Sequence, residues 1–232
     1  SSGPSDRGIA GGRHRGRHSK SLEFVAIAFE TANRRPGSPC QVGLALVRDG
    51  RVEATWGTLM QPPYGRGWFD PDCTQVHGIV ERDVEGQPTF ERLWPDIEKR
   101  LARLPVVAHN AAFDIAVIRD ATSHCDYDWP TLDFGCSLLM ARRCYDLPEH
   151  TLEAVATAAG IPLGQHHDAV HDAVACAHIT LDMAQRTSAA SLDELLRVCG
   201  LAWGRLAPEL HEPCHPVKTS APLAVALAPT LF

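Results

Sequence analysis

The sequence predicts an α/β protein: a mixed β-sheet with helices packed on its faces. Two observations carry this. A β-rich meander opens the apolar part of the chain, and short apolar strands alternating with helix-periodic segments follow it. With 232 residues, 44% of them apolar, the chain is long enough to bury a core of its own.

Leu22–Phe29 (LEFVAIAF) and Cys40–Val47 (CQVGLALV) are β-rich runs. Arg48-Asp49-Gly50-Arg51 supplies a D-G hairpin turn into a third strand over Arg51–Met60. Residues 61–88 hold four prolines and four glycines and read as a long loop region. After Thr89, an N-cap candidate, Phe90, Trp94, Ile97 and Leu101 recur on one helical face. Pro95 is expected to kink that helix or to open a second segment. Pro105–Ala108 reads as a short buried strand, followed by His109-Asn110 and a helix through Ala121. Thr131–Phe134 reads as an edge strand, with a helix near Cys136–Arg143 after it. Later helices cover Thr151–Ala159, closed by Gly160-Ile161-Pro162, and Ala169–Arg186. Ser191–Leu201 reads as one more helix, and residues 208–232, with five prolines, as an extended tail. The expected organisation is a disordered basic tail over 1–20, one globular domain over 21–187 and a C-terminal extension over 188–232.

The charge is unevenly divided. Residues 1–20 carry a formal +4, while residues 21–232 carry −10, from 17 basic and 27 acidic residues. A protein that holds nucleic acid by bulk positive charge would not have this body. An acidic body can still handle phosphates when metal ions stand between its carboxylates and the substrate. No apolar run approaches the roughly 18–20 residues needed to span a bilayer, and the first twenty residues lack the apolar stretch of a secretory signal. Eight cysteines without a C-x-x-C pair suit a reducing compartment, so the expected location is the cytoplasm, away from membranes.

Three acidic clusters carry the chemistry. The first ends the first strand, Ala28-Phe29-Glu30-Thr31, where the two-residue period places positions 28 and 30 on one face. The second, Val106-Val107-Ala108-His109-Asn110-Ala111-Ala112-Phe113-Asp114, passes from a buried strand into a helix whose first turn carries Asp114. Helix capping also accounts for an acid there. The third is His166-His167-Asp168-Ala169-Val170-His171-Asp172, with Asp168 and Asp172 one turn apart and His167 and His171 likewise. Without H-E-x-x-H or cysteine partners, zinc ranks below a magnesium or manganese carboxylate site.

In order, spacing and local structure these clusters resemble the DEDDh 3′–5′ exonucleases, which include polymerase proofreading subunits and ribonuclease T. The family pattern is D-x-E-T at the end of the first strand, H-N-x-x-F-D opening a helix, and H-x-x-x-x-D in a late helix. The second motif is intact as His109–Asp114 and the third as His167 followed by Asp172. Val76-His77-Gly78-Ile79 and His150-Thr151-Leu152 resemble the family's substrate-side loops. The resemblance covers residues 22–186 and implies a ribonuclease-H-like fold.

It also implies two Mg²⁺ or Mn²⁺ ions held by Glu30, Asp114, Asp172 and an Asp at position 28. His167 would be the general base on the attacking water, and Glu30 would in addition hydrogen-bond the terminal 3′-hydroxyl. Phe29, Thr31, Asn110 and Phe113 would line the terminal nucleotide, with His77 and Ile79 wedged against the last bases. The substrate would be DNA or RNA, single-stranded or 3′-ended, and the product a nucleoside 5′-monophosphate.

This chain departs from the pattern at one motif position, where Ala28 stands in place of the family Asp. Loss of that ligand predicts an inactive chain. A deliberate Asp→Ala substitution accounts for one changed position among intact motifs. A natural loss, leaving a non-catalytic protein that binds 3′ ends, is the alternative. The terminal Ala228-Pro229-Thr230-Leu231-Phe232 ends loosely like a sliding-clamp-binding peptide, but without the glutamine of such peptides.

Overall fold

β1 (Phe24–Thr31), β2 (Pro39–Arg48) and β3 (Arg51–Leu59) form the expected antiparallel meander. Asp49 and Gly50 both take positive φ at the hairpin, as a type I′ turn requires. The computed structural model describes residues 22–102, 104–164 and 167–218. The basic 1–20 tail, the clamp-like 228–232 segment and His166 lie outside them.

The segment expected to be loop holds two helices, α1 (Pro71–His77) and α2 (Glu81–Val84). Its turn-forming residues are helix boundaries. The Asp70 side chain accepts from the Asp72 N–H, Pro71 stands in the first turn, and Gly78 closes α1 at φ 77°. α3 (Phe90–Leu101) is a single helix despite Pro95, and Phe90, Trp94, Ile97 and Leu101 are fully buried. Proline leaves the Glu91 carbonyl without its intrahelical donor, and the Tyr127 hydroxyl supplies one at 3.1 Å.

β4 (Val106–Ala108) runs parallel to β1 and leads into α4 (Ala111–His124). β5 (Leu132–Cys136) is parallel to β4, and α5 (Ser137–Cys144), α6 (Leu152–Ala158), α7 (Ala169–Thr187) and α8 (Leu192–Val198) follow. The chain then forms β6 (Leu201–Ala202), β7 (Gly204–Ala207), β8 (Leu210–Glu212) and β9 (His215–Pro216). The main sheet has the order β3-β2-β1-β4-β5-β7-β8, while β6 and β9 pair separately. Two expectations are corrected here. β5 is interior, because β7 joins it antiparallel and β8 continues the sheet. The stretch expected to be a tail from residue 208 begins with short strands, with Pro208 and Pro213 falling between them. Among the described residues, no helix is long and apolar enough to cross a membrane.

The placing of α7 depends on a row of small residues. Register sets Ala28 beside Gly43 and Gly43 beside Gly57 across β1, β2 and β3. A Cβ at Gly43 would lie 2.0 Å from the Ala169 carbonyl oxygen, and one at Gly57 would lie 2.2 Å from Val170 Cγ2. The first turn of α7 therefore rests directly on the backbone of β2. Gly43→Ala is expected to lower the unfolding free energy by about 1–3 kcal/mol, the usual cost of overpacking. A urea midpoint unchanged by the substitution would contradict this seating.

Candidate active site

Three elements deliver the acidic residues to one place. β1 ends with Ala28 and Glu30 on the same face. Asp114, in the first turn of α4 and only 4% exposed, accepts the Phe29 N–H on Oδ1 at 3.0 Å, which ties α4 to β1. Asp172 lies in the first turn of α7. His167 immediately precedes that helix with φ 65°. Ligand atoms of Glu30, His167 and Asp172 all lie within 4.8 Å of one another. Ala28, Glu30, Phe113, Asp114, His167 and Asp172 line a single cavity of about 440 Å³.

The electrostatics of this cavity oppose negative charge. Burial, then Asp172, Asp114 and Asp168, push the Glu30 carboxyl up to about 8. Burial also pushes Asp114 up to about 8, with Asp172 adding to it against hydrogen bonds from the N–H groups of Phe29 and of Asp114 itself. Both folded values exceed the roughly 4 of an unfolded carboxyl. The stability these groups contribute is therefore complete below pH 4 and lost as pH rises toward 8. In chelator, the melting temperature should fall between about pH 5 and 8.5 through these two groups, and Mn²⁺ or Mg²⁺ should offset the fall at the upper end. Equal melting curves with and without the ions at high pH would contradict this.

The residues expected at the substrate differ in exposure. Phe113 is 39% exposed and lines the cavity. Phe29 lines the same cavity although nearly buried, and Thr31 is buried; the Phe29 N–H donates to Asp114 and the Thr31 carbonyl accepts from His77. Asn110 is exposed at the turn from β4 to α4, in the left-handed conformation that asparagine tolerates. His77 and Ile79, expected against the last bases, also brace the loops beyond β1. The Ile79 N–H donates to His77 Nδ1 at 3.0 Å, so Nε2 carries the proton and donates to the Thr31 carbonyl at 2.9 Å. Burial holds the His77 pKa below its ordinary value. Ile79 is buried in a small cluster with Ala32, Cys40 and Val84. The two-histidine arrangement also separates: His167 joins Glu30 and Asp172, while the His171 ring packs over Gly164.

Two residues to which the sequence reading gave no role hold the site together. Gln41 stands opposite Glu30 on β2. Its Oε1 accepts the Ala169 N–H at 3.0 Å, and its Nε2 donates to Asp168 Oδ2 at 2.9 Å. Asp168 Oδ1 in turn accepts from the N–H groups of Val170 and His171 and caps α7. His109 lies 3.0 Å from Ser137 Oγ through Nδ1 and 2.8 Å from the His150 carbonyl through Nε2, bracing the segment that leads into α6. The signal for Gln41 was a lone amide in an apolar strand.

A mixed sheet with carboxylates converging at the ends of β1, α4 and α7 has the architecture of the ribonuclease-H-like exonucleases. Exonuclease X, solved in complex with 5′-overhanging duplex DNA, superposes with a TM-score of 0.59 at 22% identity, over 74% of this chain and 99% of that one. Residues 28–180 match the family model described as Exonuclease (RNase_T), and the chain belongs to that family. It is 30% identical over 162 residues to the PolC-type DNA polymerase III of Clostridium perfringens, covering 68% of this chain and 11% of that protein. It is 24% identical over 156 residues to the 3′-5′ exonuclease DinG of Staphylococcus haemolyticus, covering 67% of this chain and 17% of that protein. The chain thus spans under a fifth of the length of either relative.

Proposed function

We propose that this domain is a divalent-metal-dependent 3′–5′ exonuclease site that releases nucleoside 5′-monophosphates, silenced in this chain by Ala28. The observation that carries the reading is the meeting of Glu30, Asp114, Asp172 and His167 around one cavity. The similarity to the 3′-5′ exonuclease DinG supports the direction. The donor set suits a hard cation, since it consists of oxygen ligands whose negative charge burial and mutual repulsion disfavour.

Glu30, Asp114 and Asp172 would hold the metal, with an Asp at position 28 completing the set. When bound, the ions neutralise the phosphate, acidify a water and stabilise the departing 3′ oxygen. His167 takes the proton of the attacking water on a ring nitrogen. As that water bonds to phosphorus, the bond from phosphorus to the 3′ oxygen of the preceding nucleotide breaks. Glu30 accepts from the terminal 3′-hydroxyl, so a free 3′ end is selected, and Phe113 offers its exposed face to the terminal base. Ala28 removes one ligand and one negative charge, which favours retention over cleavage. The second reading, a natural 3′-end-binding protein, draws on the same residue.

The test is binding of 5′-labelled DNA and RNA oligonucleotides that end in a 3′-hydroxyl or a 3′-phosphate, with Mn²⁺ or with chelator. Affinity should require both the metal, whose positive charge draws the phosphate to this acidic cavity, and the hydroxyl, which Glu30 binds. Absence of binding under every condition would overturn the proposal.

A further inference from the structure

Beyond Thr31 the chain enters two loops that carry arginines and aromatics outside the carboxylate cavity. Asn33, 1% exposed, joins them. Its Nδ2 donates to the carbonyls of Arg66 and Trp68, each at 2.9 Å, and its Oδ1 accepts the Arg35 N–H at 3.1 Å. Residues 33–35 and 66–68 are thereby fixed as one surface. The Arg35 guanidinium stands 5.2 Å from the centroid of the Trp68 ring, which is 48% exposed, and Tyr64, four residues earlier on the same loop, is 93% exposed. The Tyr64 carbonyl is engaged by His124 Nε2 at 2.7 Å. Arg34 pairs with Asp70 and Asp72, but among the described residues neither Arg35 nor Arg66 has an acidic partner within ion-pair distance.

Single exposed aromatics are common on protein surfaces. Two of them, beside two unpaired arginines on loops tied by a buried amide, in a body of net −10, are a different matter. Flat π faces next to guanidinium groups fit a ligand that offers bases and phosphates in alternation. Position agrees. Asn33 is three residues beyond Glu30, hence within about 11 Å of it along an extended chain. That is the length of roughly three stacked nucleotides.

We propose that Tyr64, Trp68, Arg35 and Arg66 form a track for single-stranded nucleic acid upstream of its 3′ end, taking bases from about the fourth onward. Trp68 and Tyr64 stack on the bases while the two arginines meet phosphates. The track rests on the 3′-end reading above, since that reading fixes where the strand begins.

The test uses the whole chain with Mn²⁺ and 5′-fluorescein oligothymidylates of three and twelve nucleotides, followed by anisotropy. Trp68→Ala should weaken the twelve-mer by about 5- to 100-fold, the range for loss of one stacked base, and leave the trimer unchanged. Trp68→Phe should restore most of the loss. Arg35→Ala with Arg66→Ala should reduce the dependence of log affinity on log salt by about 1.4, for two phosphate contacts on a single strand. Circular dichroism melts confirm that the variants fold. If folded Trp68→Ala and the double arginine variant bind the twelve-mer like the parent, the track is wrong while the 3′-end reading stands. If twelve-mer binding depends on Trp68 but not on Asp172, tested as Asp172→Asn, the surface holds single strands without leading to the cavity, and the 3′-end reading and the upstream placement of the track both fail. If neither oligonucleotide binds the parent, both fail.

Discussion

Ala28→Asp should convert this chain into a nuclease that needs Mg²⁺ or Mn²⁺ and a free 3′-hydroxyl. The expected gain is on the order of 10³-fold or more in mononucleotide release, because a shared metal ligand supports several kcal/mol of transition-state stabilisation and each 1.4 kcal/mol is tenfold. Ala28 packs against the core and also lines the cavity, so a carboxyl at this position can face the other acidic groups. The measurement is release of labelled mononucleotide from 3′-labelled DNA and RNA, with 5′-labelled strands reporting direction. A variant that binds oligonucleotide and metal yet releases nothing would leave the non-catalytic reading as the better one.

His167→Ala, added to Ala28→Asp, should slow cleavage by roughly 10²–10⁴-fold, the usual worth of a general base. The position supports the role, since a His167 ring nitrogen lies within 4.8 Å of the facing Glu30 and Asp172 ligand atoms. The pH profile separates this role from a structural one. In the Ala28→Asp parent, cleavage should rise across the range where an imidazole loses its proton, and that rise should vanish without His167. Equal losses at every pH, with weaker metal binding, would reassign His167 to ligation.

Much of the site was legible because its parts are local. Glu30 on a strand of period two, Asp114 in a helix's first turn and Asp172 five residues after His167 are spacings that a linear chain displays. Their order along the chain did the rest. What was not legible is tertiary. His77 resembles a substrate-side residue in sequence, and the fold also joins its ring nitrogens to the Thr31 carbonyl and the Ile79 N–H. Only the fold puts those groups within reach. Gln41 acquires its role from a helix that begins 128 residues later. In the fold itself, β5 reads as an edge because its outer neighbour, β7, is a four-residue strand between the expected last helix and the proline-rich stretch, too short to show a strand period.

The row of small residues under α7 bears on how position 28 can change. At Gly43 and Gly57 any added side chain runs into the helix, so change there costs folding. Ala28 is the member of the row that opens onto the cavity. Two of the four alanine codons become aspartate codons through the middle base alone. From such a codon, one point mutation would bring a carboxylate to position 28 while Gly43 and Gly57 keep the seat of α7. The proposed catalysis would then be a trait suspended in the gene rather than erased from it.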